Sequence, residues 1–179
     1  MSFLEIITLM DLLGVLLYFF YTISLAYRFG VPNSGLCSWY YTIQKEKSPV
    51  GFCTIMTIIP LLVLPLFTYI SYYIFNSGIM TVVAVIAILL ASLIYVFPKY
   101  RESHMHTFAT IVSRVLFVVW GALSNNIYLL LLPLALCLIV YMVKNLRAKY
   151  NIDRRWIFVA DFLNYIVFLA TPLLILLFI

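Results

Sequence analysis

The stretch from Thr107 to Val143 decides the fold, and it reads TFATIVSRVLFVVWGALSNNIYLLLLPLALCLIVYMV. Two apolar runs, 107–123 and 127–143, are separated only by S-N-N at 124–126, a triplet that favours a turn. Together these 37 residues are too long for one ordinary transmembrane helix, which needs about 20 residues. The stretch therefore predicts a tight hairpin of two membrane-spanning helices.

Four further apolar runs have a length suited to a bilayer, at 6–27, 51–74, 79–96 and 156–179. The short segment F-N-S-G at 75–78 favours a second turn between two of them. We predict an all-α, polytopic transmembrane helix bundle with six spans, forming one domain over residues 1–179. An alternative with five spans stays open, in which one of the segments is interfacial or re-entrant.

The composition supports a membrane location. Hydrophobic residues make up 66% of the chain and charged residues only 9%, whereas a soluble domain carries roughly a quarter charged residues. So few charges could not cover a surface that faces water. The three cysteines are scattered without a C-x-x-C pair, so their spacing favours neither a disulfide framework nor a zinc site.

The basic residues predict how the chain is oriented. In the six-span arrangement, ten of the eleven Lys and Arg lie in the connections after the first, third and fifth spans. The positive-inside rule makes that side cytoplasmic and places both termini on the non-cytoplasmic side. We expect a multi-pass protein of the cell membrane, and the lack of sorting signals favours a bacterial inner membrane. Because the cations form no dense patch with interleaved aromatics, we do not expect nucleic-acid binding.

Three ionisable residues fall inside predicted spans, where a charge is costly and is by default a candidate for function: Asp11, Arg114 and Asp161. Arg114 and Asp161 enter their spans from the cytoplasmic side to a similar depth, so we predict an ion pair between them. Asn164 shares the helical face of Asp161. Asp11 enters from the opposite side and belongs to a polar stripe on the first span. The pair could serve function or simply hold two helices in register.

The segment F-P-K-Y-R-E-S-H-M-H at 97–106 is the best candidate for chemistry, because Glu102, His104 and His106 lie together at the mouth of the fourth span. Histidine binds metals and transfers protons near neutral pH. A three-ligand metal site would also need a carboxylate, such as Glu102 or Asp161. The alternative is a pair of solvated loop histidines, and we assign no metal and no cofactor.

The connection from Phe29 to Val50 is the longest in the chain and contains several polar and aromatic residues: Ser34, Ser38, Trp39, Tyr40 and Tyr41. Amphipathic rings favour the headgroup level of a bilayer. We interpret this connection as a short interfacial helix, with a flap over a lipid or substrate cavity as the alternative.

These residues carry two resemblances. Gly30, Pro32, Ser34, Ser38, Tyr40 and Tyr41, followed by Phe97, Pro98 and His106, resemble a pattern in small polytopic membrane proteins of bacteria and their phages, a group that implies no activity. The pattern is also distantly similar to ceramidase-like membrane hydrolases, which use a serine, an aspartate and three histidines around zinc. This chain has two histidines and cannot build that site.

Three hypotheses on function follow. The first is a non-enzymatic module that binds membrane lipid or a membrane protein partner, which could be a second copy of the chain. It rests on the absence of a complete catalytic set. The second is a metal-dependent, lipid-processing enzyme using Glu102, His106 and Asp161. The third is a small transporter or channel with Asp11 and the predicted ion pair on its path.

Overall fold

The computed structural model describes residues 1–32, 36–46, 48–96, 104–150 and 155–178, with the backbone alone for residues 144 and 147–150. The described residues are almost entirely helical and contain no strand. They form seven α-helices: α1 Phe3–Phe29, α2 Trp39–Glu46, α3 Val50–Tyr69, α4 Gly78–Leu93, α5 His104–Leu123, α6 Ile127–Tyr150 and α7 Arg155–Phe178. A 3₁₀ turn, Leu36–Ser38, precedes α2, and a π-helical turn, Ile70–Ile74, continues α3.

Local sequence explains where α1 begins and ends. The Ser2 hydroxyl accepts a hydrogen bond from the Glu5 amide at 3.2 Å, and the Glu5 carboxylate accepts one from the Ser2 amide at 2.7 Å. This reciprocal arrangement satisfies amide groups that have no partner within the helix. At the other end Gly30 has a φ of 74°, a conformation that glycine adopts without steric cost. The helix is therefore longer than the predicted run 6–27.

Both predicted turns are present, and each contains an asparagine with positive φ. Asn76 has a φ of 47° and Asn125 a φ of 54°, which asparagine tolerates better than most residues. The Ser77 hydroxyl accepts a hydrogen bond from the Met80 amide at 3.2 Å and caps α4. The hairpins α3–α4 and α5–α6 are thus encoded by their short turns.

Helix α6 continues seven residues beyond the predicted boundary at Val143 and ends at Tyr150. The prediction stopped where Lys144 ends the apolar run. Lys and Arg are good helix formers, so backbone hydrogen bonding can continue after the side chains change from apolar to charged.

The helices pack as a ring. Helix α1 contacts α3 and α7, α4 contacts α3 and α5, and α6 contacts α5 and α7, while α3 also touches α7. We call the end with Phe3, Gly78 and Phe178 the terminal end, and the end with Arg28, His104 and Arg155 the basic end. Neighbouring helices alternate in direction between these two ends.

Four helical segments are long and apolar enough to cross a membrane: α1, α3 with its π turn, α5 and α7. Helix α4 and residues 127–143 of α6 are apolar but shorter. The outward faces carry large exposed apolar side chains, including Phe20, Val82, Ile111, Ile139 and Leu163. Such a continuous apolar exterior is typical of contact with lipid rather than water, so the chain is a helical membrane protein by composition, length and surface.

Candidate functional site

Arg114 of α5 and Asp161 of α7 form an ion pair, with Arg114 Nη2 donating to Asp161 Oδ1 at 3.0 Å. The side chains are 30% and 14% exposed, respectively, so the pair is not sealed in the core. Arg114 lies ten residues after His104 and Asp161 six residues after Arg155. At about 1.5 Å per residue these offsets are roughly 15 and 9 Å from the basic end, and the long Arg114 side chain spans the difference.

Further polar side chains surround this pair. Cys137 of α6 lies beside both Arg114 and Asn164, and Asn164 is 9% exposed. Tyr165, four residues after Asp161, contributes a hydroxyl that is buried next to the same face of α7. We call this group the polar layer; its members are Tyr18, Arg114, Cys137, Asp161, Asn164 and Tyr165.

Tyr18 brings α1 to the polar layer. Its hydroxyl donates to the Phe162 carbonyl at 3.4 Å, and its ring lies 5.0 Å from that of Tyr165. The Cys37 thiol, in the 3₁₀ turn before α2, is close enough to interact electrostatically with the Tyr18 and Tyr165 hydroxyls. The connection between α1 and α3 therefore reaches the polar layer from the basic end.

The hydrogen bonding in the polar layer is incomplete. A guanidinium has five N–H groups, and in the described part of the chain only one of those of Arg114 has a hydrogen-bond acceptor. The Tyr165 hydroxyl is buried without a hydrogen-bond partner among the described residues. Each of these groups can donate a hydrogen bond, so together they suit a ligand rich in oxygen acceptors.

An aromatic cluster closes the polar layer on the side of the terminal end. Its members are Phe67, Phe117, Trp120 and Phe168, with ring centroids 5.1 Å apart for Phe67 and Trp120 and 4.7 Å apart for Phe117 and Phe168. The Trp120 indole donates to the Ser71 hydroxyl at 2.8 Å, which fixes α5 against the π turn. Access to the polar layer from the terminal end is therefore blocked by packed rings.

The connection before α3 contains the predicted short helix, but its aromatic residues do not all lie where headgroups would be. Trp39 is fully buried, its ring lies 5.2 Å from that of Phe158, and its indole donates to the Gly30 carbonyl at 3.0 Å. Tyr40 is also buried, whereas Ser38 and Tyr41 are partly exposed. Ser34 lies outside the described residues. Trp39 thus packs α2 onto α1 and α7, a role that sequence alone did not indicate.

The two histidines lie apart from the polar layer. His104 is exposed at the start of α5, and His106 Nδ1 is 3.0 Å from the carbonyl oxygen of Ile94, just beyond α4. Glu102 lies outside the described residues, so its place beside them is not described. Within the described ranges no three His, Cys, Asp or Glu side chains are close enough to share a metal ion.

Asp11 is not part of the polar layer, as its entry from the opposite side predicted. It is fully buried on the inner face of α1, together with Gly14, Tyr18 and Thr22. The polar stripe predicted for the first span therefore does face the interior of the bundle. Tyr165 and Cys137 were not singled out from sequence; the only signal was that Tyr165 follows Asp161 at helical spacing.

Comparisons with protein-family models, with curated protein sequences and with solved structures found no match.

Proposed function

We propose that the protein is a non-enzymatic, six-span membrane protein that binds the anionic group of a membrane lipid at its polar layer. Six spans are supported by the ring, because α4 packs between α3 and α5, and α6 between α5 and α7. If either short helix lay outside the bilayer, its long neighbours would lose the apolar face that it covers.

The charge distribution supports an orientation in which the basic end faces the cytoplasm. Arg28, Lys45 and Arg155 mark that end of the described helices, while the turns at 75–77 and 124–126 carry no charge. By the positive-inside rule, both termini then lie on the non-cytoplasmic side. A bacterial inner membrane fits this arrangement.

The observation that carries the proposed binding is the incomplete hydrogen bonding of Arg114. Its guanidinium makes one described hydrogen bond, in a layer that also contains the unpartnered Tyr165 hydroxyl. Arginine favours phosphate and carboxylate because its planar N–H fork matches their oxygens. The remaining donors point to such an anion, and the apolar exterior makes a membrane lipid its source.

Asp161 makes the proposal testable, because it competes with the ligand for Arg114. We expect Arg114→Gln to lose the lipid and Asp161→Asn to bind it more tightly. A charge-assisted hydrogen bond contributes about 1.5–3 kcal/mol, which corresponds to roughly tenfold or more in affinity. Native mass spectrometry in mild detergent with added phosphatidylglycerol, and separately with phosphatidylcholine, measures the bound lipid.

Arg28→Gln is the matched control, since it removes a cation at the basic end outside the polar layer. Phosphatidylglycerol should remain bound to it, and an excess of inorganic phosphate should not displace that lipid. If free phosphate displaces the lipid, the site recognises the anionic group alone and the lipid tail does not contribute to binding. If Arg114→Gln and Asp161→Asn lose thermal stability equally and lipid binding is unchanged, the ion pair only holds α5 and α7 in register.

A further inference from the structure

Asp11 has a buried carboxyl group with no partner in the described part of the chain. Its side chain is fully buried, and neither Oδ1 nor Oδ2 has a hydrogen-bond donor within reach. It lies eight residues after Phe3, about 12 Å along α1 from the terminal end. Nothing in the polar layer accounts for it, because the first polar-layer residue on α1, Tyr18, is two turns further on.

Contacts along α1 show what faces Asp11. A Cβ on Gly14 would lie 3.2 Å from Leu62 Cβ and 3.3 Å from the Ile59 carbonyl oxygen, and the ring of Phe3 lies 6.4 Å from that of Tyr69. Asp11, between them on α1, therefore faces the middle of α3. On the other side, Tyr18 contacts Phe162, so Asp11 is level with about residues 169–172 of α7.

These facing segments contain no cation. Residues 59–67 of α3 read I-P-L-L-V-L-P-L-F, and residues 169–176 of α7 read L-A-T-P-L-L-I-L. The single hydroxyl among them, on Thr171, already donates to the Val167 carbonyl at 2.7 Å. The other titratable groups on these helices are at a distance along them: Glu5, Tyr18, Tyr21, Tyr27 and Arg28 on α1, Cys53 and Tyr69 on α3, and Arg155, Asp161 and Tyr165 on α7. Tyr72 and Tyr73 lie in the π turn. On α2, Lys45 and Glu46 lie at the basic end.

An ionised carboxylate in such surroundings would be very costly, and a buried acid without a counter-ion avoids that cost by holding its proton. We propose that Asp11 is a proton-binding site and that the bound proton keeps α1 packed against α3 and α7. Gly14, one turn away, leaves no room for water between α1 and α3. Loss of the proton would therefore require α1 to separate from its neighbours so that the charge is hydrated.

An open groove at the terminal end extends along α1 to the level of Asp11. It has a volume of about 700 Å³ and is lined by residues that include Ser2, Glu5, Thr8, Leu12 and Leu176. Thr8 and Leu12 flank Asp11 along α1, but the buried carboxyl does not line the groove, so a proton leaves it only when α1 separates from its neighbours. The aromatic cluster separates Asp11 from the Arg114–Asp161 pair.

Dicyclohexylcarbodiimide, an apolar reagent, tests the proposal. The carboxyl O–H adds across one C=N bond: the proton goes to nitrogen, the carboxyl oxygen bonds to the central carbon, and the adduct rearranges to a stable N-acylurea. We expect one label per chain, mapped to Asp11 by peptide mass spectrometry, and decreasing as the pH rises. Asp161, paired with Arg114 at 3.0 Å, should remain unlabelled.

Two variants complete the test. Asp11→Asn should abolish the label and keep the unfolding temperature of the wild type, because its amide mimics the protonated acid. Glu5→Gln should keep the label at Asp11. Three outcomes would each overturn the proposal: labelling at Asp161 instead of Asp11, protection by sodium ions at constant pH, or an Asp11→Asn protein that does not fold. The last two would indicate a carboxylate that holds a metal cation.

Discussion

Gly121 lies where the backbones of α5 and α6 approach each other closely. A Cβ at this position would overlap the carbonyl oxygen of Leu129 and lie 2.8 Å from its carbonyl carbon. Both atoms belong to the backbone, so no side-chain rotation can relieve the overlap. Small residues at helix contacts are typical of membrane proteins, where close packing is a main source of stability.

Gly121→Ala is therefore expected to destabilise the bundle. Overpacking of a tight contact costs about 1–3 kcal/mol, and here the turn at 124–126 leaves α6 little freedom to move away. Gly51→Ala is the matched control, because a Cβ there meets nothing within 4 Å. Thermal unfolding in detergent measures both. A Gly121→Ala protein as stable as the control would show that the hairpin is packed more loosely than described.

The sequence predicted the partners of the charged residues inside spans to different extents. The depths of Arg114 and Asp161 were enough to predict their pairing, because both enter from the same end. For Asp11, the sequence predicted only that it enters its span from the side opposite to that of Arg114 and Asp161. Whether Asp11 has a partner depends on which segments of α3 and α7 lie opposite it. A local sequence pattern cannot predict this, because it does not encode the register between helices.

At the scale of elements, the prolines within helices did not break them. Pro60 and Pro65 lie inside α3, Pro133 inside α6 and Pro172 inside α7. Neighbouring helices and local adjustments can compensate for the missing amide hydrogen bond. In α3 the helix continues beyond Pro65 into the π turn at 70–74. Ser71 within this turn then accepts the hydrogen bond from Trp120.

Helix α2 contacts the bundle through three buried side chains, of which Trp39 is the largest, and this gives a prediction for the element. Trp39→Ala removes the ring that packs on Phe158 and the hydrogen bond to Gly30. Truncation of a buried tryptophan costs about 3–5 kcal/mol, so α2 should detach. We expect the Cys37 thiol to react with a maleimide at least roughly tenfold faster, a change that corresponds to about 1.4 kcal/mol or more.

Gln44→Ala on the exposed face of α2 is the control and should leave the reaction rate unchanged. Equal rates in Trp39→Ala and the wild type would mean that α2 is fixed by other contacts.

At the scale of the whole molecule, the number of spans and their direction can be tested with single cysteines. After replacement of Cys37, Cys53 and Cys137 by alanine, Gly78→Cys and Ile127→Cys should react with an impermeant maleimide in intact cells. Lys45→Cys should react only after permeabilisation, because it lies at the basic end. All three positions are exposed on the bundle, so access depends on the membrane alone. Opposite behaviour of Gly78→Cys and Ile127→Cys would contradict six spans.

The sequence by itself determined that the chain is apolar enough for a membrane and where its helices lie. Its apolar runs are too long and too poor in charge to cover a surface that faces water. Its turns are encoded by local signals that need no tertiary contact, as Asn76 and Asn125 show. Only the tertiary structure decided which side chains have partners. Trp39 is buried, Tyr165 packs against Tyr18, and Asp11 faces uncharged segments of α3 and α7. The physical reason is that helix formation depends on neighbours in the chain, whereas pairing across a bundle depends on the ring order and register of helices distant in sequence.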